Sequence, residues 1–204
     1  MPVKDTREYR YFQPLQANKQ EENGYTVEGY ASTFEPYTLF EMDGIKYREQ
    51  IARDAFSGCD MSDVIFQYNH DGAVFARTRN KTLTVEIDDH GLKIRADLSK
   101  TTKSKEMYED IATGLVDQMS FAFTVAEDEY DTETHTRLIK RFSKIFDVSA
   151  VSVPANPGTE IGVATRSKFD GWINEEQQEL LKRAAYAKRK KALELKLRLI
   201  TNGD

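Results

Sequence analysis

The segment GLVDQMSFAF, residues 114–123, sets one serine inside an otherwise apolar run. The run predicts a buried β-strand, on which side chains point alternately to opposite faces of the sheet. Phe121 and Phe123 then share one face, while Ser120 and Ala122 share the other. The serine face is small and polar, which leaves room for another group. Ser120 is therefore either a residue that fills a tight site or a nucleophile held on a sheet.

A catalytic Ser120 requires a base nearby, because a serine hydroxyl is a weak nucleophile until its proton is removed. The chain contains three histidines. His90 and His135 lie in the charged turn sequences DDHG and TETHT, where we interpret them as solvated loop residues. His70 ends the apolar segment DVIFQYNHDG, so a packed core could hold its ring in place. His70 is therefore the candidate base.

Asp147 lies in the apolar stretch KIFDVSAVSV. An ionised carboxylate is costly to bury there unless it is paired or hydrogen-bonded. One interpretation is a salt bridge to Arg137 or Arg141 on the preceding strand. The other is that Asp147 orients a histidine and stabilises the imidazolium formed when serine gives up its proton. Spacing leaves both open, and Asp71 and Asp117 are further acids near the candidate residues.

The segments around the serine strand predict a fold dominated by short strands. The alternating sequence of residues 81–99 predicts a β-hairpin that turns at DDHG. The period then changes, and residues 103–113 predict a helix with threonines suited to its N-cap and Gly114 as its stop. Further predictions are strands near residues 25–29 and 64–68, a turn at Asp43–Gly44 within an irregular segment, a strand pair turning near Asp131–Thr134, and a last strand stopped by Pro154 and Pro157.

Composition narrows the class of protein. The 204 residues are 39% hydrophobic and 31% charged, which is typical of a globular protein with a solvated surface. The N-terminal sequence lacks the apolar core of a secretory signal, so we expect a cytoplasmic location and no membrane span. With a single cysteine, Cys59, and no close-spaced ligand pair, we expect no metal site. Phosphate-binding glycine motifs are absent, and we expect no cofactor. The GxSxG elbow is also absent, which disfavours a standard α/β-hydrolase.

The net charge of −5 conceals an asymmetry. The chain from residue 166 onward is mostly basic and includes the run KRKK at residues 188–191. Its apolar spacing predicts a long amphipathic helix, for which Asn174 is a candidate N-cap. We therefore divide the chain into a domain over residues 1–165 and a basic helical tail over residues 166–204. No DNA-reading motif accompanies the basic run, so nucleic-acid binding is not expected.

Taken in order, these motifs resemble those of the tailed-phage prohead proteases, which are serine peptidases of capsid maturation related to herpesvirus assemblin. The resemblance runs from about Tyr25 to Gly162. Its pieces are GYAS-F at residues 29–34, DAFSG at 54–58, NHD at 69–71, DDHGL at 88–92, MSFAF at 119–123 and VSVPANP at 151–157.

The resemblance implies a Ser-His-acid mechanism. Ser120 matches the nucleophile in its Met-Ser-Phe context, and His70 matches the general base in Asn-His-Asp. Asp147 falls where the family most often has glutamate, one methylene longer. The implied fold is of the α+β class, an assemblin-like and mainly antiparallel β-barrel with packed helices.

The resemblance also implies substrates and partners. These are the scaffolding domain of the major capsid protein or a separate scaffold protein, and often the protease itself, inside the immature prohead in the bacterial cytoplasm. Assemblin relatives act as dimers, so a homodimer is the expectation. Two alternatives are a catalytically inactive capsid-assembly scaffold or chaperone, and a DNA-binding packaging factor that uses the basic tail.

Overall fold

The computed structural model describes residues 7–12, 15–18, 24–152 and 163–201. The chain divides between residues 162 and 163 into two compact units. Within its described residues, the first unit contains the strands β1 (Glu8–Phe12), β2 (Leu15–Asn18), β3 (Thr26–Thr33), β4 (Tyr37–Met42), β5 (Ile45–Ile51), β6 (Ile65–Tyr68), β7 (Asp71–Arg77), β8 (Leu83–Ile87), β9 (Gly91–Asp97), β10 (Gln118–Asp131) and β11 (Thr136–Val151), with helix α1 (Thr102–Ala112) between β9 and β10.

The strands form two sheets. The seven-stranded sheet has the order β1-β10-β11-β5-β4, and β6 pairs with a different part of β11 and carries β7 at its outer side. The four-stranded sheet has the order β2-β3-β9-β8. The α+β class is therefore confirmed, but the expected barrel is wrong. In the described residues neither sheet closes, because β11 divides its length between β5 and β6 and the outer strands do not pair with one another.

The long hairpin of β10 and β11 forms the centre of the larger sheet. Phe121 and Phe123 lie on the face that packs into the core, with their rings stacked 4.6 Å apart. Phe142 of β11 packs edge-on against Phe123 at 5.0 Å. Complete burial of one such side chain contributes roughly 1.5–3 kcal/mol to stability. The predicted alternation of the serine strand is confirmed, and its bulky face is the one that anchors the hairpin.

The local predictions for helix α1 and for the hairpin over residues 81–99 are confirmed. The hydroxyl of Thr101 accepts from the backbone N–H of Ser104 at 3.1 Å and caps α1. Gly114 follows the helix with a φ of +78°, a conformation that glycine adopts without steric cost. Strands β8 and β9 pair around the DDHG turn as expected.

The segment that we expected to be irregular is a hairpin of β4 and β5. Asp43 and Gly44 both have positive φ, 53° and 77°. This is the two-residue turn whose twist matches that of the flanking strands, so it holds them in register. The predicted turn is correct, and the strands on either side of it were missed. The predicted end of β11 at Pro154 and Pro157 lies outside the described residues.

A buried ionic cluster joins β1 and β5 to the half of the β10–β11 hairpin nearest its turn, which we call the distal half. Arg10 contacts Glu49 at 2.5 Å, and Arg137 contacts Glu8 at 2.6 Å and Glu49 at 2.8 Å. Arg137 and Glu49 have no solvent exposure. Burial alone would lower the pKa of Arg137, but the carboxylates of Glu49 and Glu8 outweigh it and raise that pKa above its usual value.

The second unit consists of helix α2, Val163–Thr201, with 39 residues and a length of roughly 58 Å. The predicted helix is confirmed, but Asn174 lies inside it and does not cap it. The preceding turns are supported by an ion pair between Arg166 and Asp170 at 3.0 Å.

The amphipathic character expected of α2 is not found. Leu180, Leu181, Tyr186 and Leu193 are exposed; at about 100° per residue Tyr186 and Leu193 share one side of the axis, whereas Leu180 and Leu181 point to other sides. Among the described residues, no helix combines the length and apolar character that crossing a membrane requires.

Candidate active site

The pairing of β10 with β11 brings two of the predicted residues onto one face of the sheet. Ser120 lies directly opposite Ser149, and Ala122 lies directly opposite Asp147. Ser120 and Asp147 are therefore diagonal neighbours, a relation that places side chains about 7–8 Å apart on an antiparallel ladder. Because Ala122 is small, the space above this diagonal is open to a third side chain.

The third side chain comes from the turn between β6 and β7. Strand β6 runs parallel to β11, with Tyr68 beside Ala150, and the chain then turns. Asn69 and His70 both have positive φ, 50° and 58°. The backbone N–H of Asn69 donates to the Ala150 carbonyl at 3.0 Å, and its side-chain oxygen accepts from the Ser152 N–H at 3.2 Å. Left-handed backbone at non-glycine residues costs about 1–3 kcal/mol each, and here it aims the imidazole at the sheet.

The His70 ring spans the diagonal between Ser120 and Asp147. Its Nε2 lies 2.6 Å from the Ser120 Oγ, and its Nδ1 lies 2.6 Å from the Asp147 Oδ1. An ionised carboxylate can only accept, so Nδ1 carries the proton and Nε2 is left to accept from the serine hydroxyl. This chain of hydrogen bonds allows a proton to pass from the hydroxyl to the imidazole.

The three groups lie in a nearly dry environment. Ser120 has no exposed surface, Asp147 is 1% exposed, and the His70 side chain retains 11%. Tyr9 of β1 packs against the imidazole edge-on, with ring centroids 4.5 Å apart. Electrostatic interactions are stronger in such a site than in water, so the buried carboxylate depends on its hydrogen-bond donors.

Ser149 is a second donor to the carboxylate, and sequence reasoning missed it. Its Oγ donates to the Asp147 Oδ1 at 2.8 Å and lies 3.2 Å from the His70 Nδ1. The available signal was the spacing: two residues beyond Asp147 on a strand, Ser149 had to point to the same face.

The salt-bridge interpretation of Asp147 is wrong. Arg137 is held by the buried carboxylates of Glu8 and Glu49, and the exposed Arg141 lies 3.5 Å from Glu127. The reason is distance: both arginines lie on the same strand as Asp147, ten and six residues before it, which at about 3.3 Å per residue places them roughly 33 and 20 Å away along β11.

The remaining histidines lie elsewhere, as the sequence predicted. His90 lies in the β8–β9 turn with its ring 4.5 Å from that of Tyr30, and His135 lies in the β10–β11 turn, 5.4 Å from the ring of Tyr47. Asp71, one of the alternative acids, is exposed, and its Oδ1 accepts from the neighbouring Gly72 N–H at 2.7 Å.

The described residues form neither a cluster of metal ligands nor a reactive thiol. Within residues 7–12, 15–18, 24–152 and 163–201, no group of three or more His, Cys, Asp or Glu side chains is placed to hold a metal ion. The Cys59 thiol is half-buried, and burial raises its pKa to about 11. It is therefore overwhelmingly protonated near neutral pH, where only the thiolate would be nucleophilic.

A comparison with protein-family models gave a match. A family model described as caudovirus prohead serine protease matches residues 13–170, well over half of the chain. Searches of curated proteins and of solved structures gave no match. The matched range contains β10, β11 and the β6–β7 turn, and so all three residues of the hydrogen-bonded chain.

Proposed function

Because this chain belongs to the caudovirus prohead serine protease family, we propose that it is a capsid-maturation endopeptidase with Ser120 as nucleophile, His70 as general base and Asp147 as the orienting acid. The family establishes a serine protease and a role in capsid maturation. The observation that carries the residue assignment is the unbroken chain of hydrogen bonds from Ser120 through His70 to Asp147, with both contacts at 2.6 Å.

The proposed chemistry follows from that chain. The Ser120 Oγ bonds to the carbonyl carbon of the scissile peptide while His70 Nε2 takes the proton of the Ser120 hydroxyl. The imidazolium formed in this step is stabilised by the Asp147 carboxylate, and backbone N–H groups stabilise the oxyanion. The imidazolium then protonates the leaving amine, and water hydrolyses the acyl-enzyme by the same route. Proton transfer by a positioned base of this kind contributes about 10²–10⁴ in rate.

The proposed substrates are the scaffolding domain of the major capsid protein or a separate scaffold protein, and the protease itself. The site of action is the immature prohead in the cytoplasm of the host bacterium. Family membership supports both statements.

By analogy with assemblin relatives the protease acts as a homodimer. The protease domain comprises residues 1–165 and a basic helical tail comprises residues 166–204; the division of the chain between residues 162 and 163 supports this assignment.

The test is co-expression with the major capsid protein of the same phage. Wild type is expected to yield fragments of the capsid protein or of itself, and Ser120→Ala is expected to yield none. Ser143→Ala is the matched control, because Ser143 lies on the same hairpin and its hydroxyl contacts Thr124 at 2.6 Å. Equal fragments from wild type and Ser120→Ala would refute the assignment of the nucleophile. Absence of cleavage in wild type would favour the inactive assembly scaffold.

A further inference from the structure

We propose that Ser149 is a positioning residue, whose hydroxyl holds the Asp147 carboxylate and thereby sets the orientation and the tautomer of His70. The inference rests on the proposed function of those two residues. Ser149 is buried, and its hydroxyl contacts Asp147 Oδ1 and His70 Nδ1, whereas the Ser120 hydroxyl contacts the other ring nitrogen, Nε2. The Ser149 hydroxyl therefore touches the groups that hold the imidazole and not the hydroxyl proposed to attack the substrate.

The geometry is a closed triangle of polar atoms. The Asp147 Oδ1 lies 2.6 Å from the His70 Nδ1 and 2.8 Å from the Ser149 Oγ, and the Ser149 Oγ lies 3.2 Å from the His70 Nδ1. Since the carboxylate can only accept, the single proton of the Ser149 hydroxyl is directed to Asp147. The lone pairs of its Oγ then face the Nδ1–H group of the imidazole. One hydroxyl thus fixes the carboxylate by donation and offers a second acceptor to the same imidazole proton.

The consequence concerns the serine at the other end of the ring. With the proton held on Nδ1, the Nε2 lone pair is directed at the Ser120 Oγ, which lies 2.6 Å away. An aspartate carboxylate turns readily about its last bond, because that torsion has only broad minima. A second donor on Oδ1 removes this freedom, and hydrogen bonds to charged groups are stronger than those between neutral groups.

The position imposes a limit on size as well as a requirement for a donor. Ser149 is the direct cross-strand neighbour of Ser120, and such pairs have their Cβ atoms about 4.5–5.5 Å apart. A larger side chain would press on the Ser120 hydroxyl in a site without free surface. Alanine meets the limit on size and lacks the donor, so Ser149→Ala removes the proposed role with the least disturbance of packing.

The experiment measures how fast Ser120 reacts with a fluorophosphonate probe, using the full chain. Ser149→Ala is expected to lower the rate constant at saturating probe by about 10- to 100-fold, in line with the loss of a hydrogen bond to a charged group. The probe concentration at half saturation is expected to stay unchanged, because Ser149 does not contact the probe. Ser143→Ala, on the same strand, is expected to label at the wild-type rate.

A double-mutant cycle separates positioning from a merely structural role. If Ser149 acts through the carboxylate, Ser149→Ala adds little to the loss already caused by Asp147→Asn. Additive losses would overturn the inference, and so would an unchanged rate in Ser149→Ala. Urea unfolding of each variant verifies that the labelled protein is folded. Failure of wild type to label at Ser120 would instead count against the proposed function, so the two outcomes are distinguishable.

Discussion

The hairpin of β10 and β11 and the turn between β6 and β7 contribute to the same site by different means. The hairpin carries Ser120, Asp147 and Ser149, each at most 1% exposed and flanked by paired strands. The turn carries His70 on left-handed backbone between two exposed residues, Asn69 and Asp71. The sheet register therefore positions the hairpin residues, whereas a few side-chain and backbone contacts position the histidine.

We therefore expect substitutions that reduce stability and substitutions that impair the chemistry to fall in different regions of this molecule. A change in the ionic cluster of the distal hairpin is expected to reduce the free energy of unfolding. A change in the turn is expected to misalign the imidazole while leaving most of the core intact. A change in the carboxylate is expected to affect the chemistry most, because the carboxylate links the two regions.

The largest effect is expected from Asp147→Asn. The amide can donate to Nδ1 and would favour the wrong tautomer, so the rate of Ser120 labelling or of substrate cleavage is expected to fall by about 10⁴. Asp71→Asn in the exposed turn is the matched control, with a rate near that of wild type. A small loss in Asp147→Asn, or an equal loss in Asp71→Asn, would show that the hairpin does not supply the acid.

The next effect concerns stability. Arg137→Met leaves the carboxylates of Glu8 and Glu49 buried without this partner, and the free energy of unfolding in urea is expected to fall by about 3–5 kcal/mol. Arg141→Met on the same strand removes an exposed ion pair and is expected to cost about 0–1 kcal/mol. Similar losses in the two variants would contradict the difference that we draw between the buried cluster and the surface of β11.

The smallest effect is expected in the turn. Asn69→Ala and Asn69→Gly both remove the side-chain contacts with Ser152, but only alanine is strained at a φ of 50°. The free energy of unfolding of Asn69→Gly is expected to exceed that of Asn69→Ala by about 1 kcal/mol. Its Ser120 is also expected to react faster with the fluorophosphonate probe. If Asn69→Gly were the slower of the two, strain in the left-handed backbone at residue 69 would not be what controls the position of the histidine.

Local patterns in the sequence predicted the parts of the fold that depend on near neighbours. Alternation placed Ser120 opposite the phenylalanine face, and Thr101 and Gly114 bound a helix whose ends were predicted to within a residue. The candidate residues were also found by local reasoning, because a carboxylate in an apolar strand and a histidine at the end of one are both unusual. Their proximity, however, depends on strand pairing.

Long-range pairing was the part that local patterns could not predict. Nothing in the segment after Asp71 identified β7, and nothing in β11 indicated that it pairs with β5 at one end and with β6 at the other. This divided pairing is why the expected closed barrel is wrong. Arg137 was misassigned for a related reason, since its partners Glu8 and Glu49 lie 129 and 88 residues away along the chain.

The order of the site residues along the chain has a consequence for biosynthesis. His70 precedes its partners by 50 and 77 residues, and its place beside them requires β6 to dock on a strand that ends at Val151. A nascent chain that stops short of residue 147 therefore contains Ser120 and His70 but lacks Asp147. Under the proposed assignment of roles, peptide-bond cleavage requires β11, so a ribosome-bound fragment is expected to be inactive until that strand has emerged.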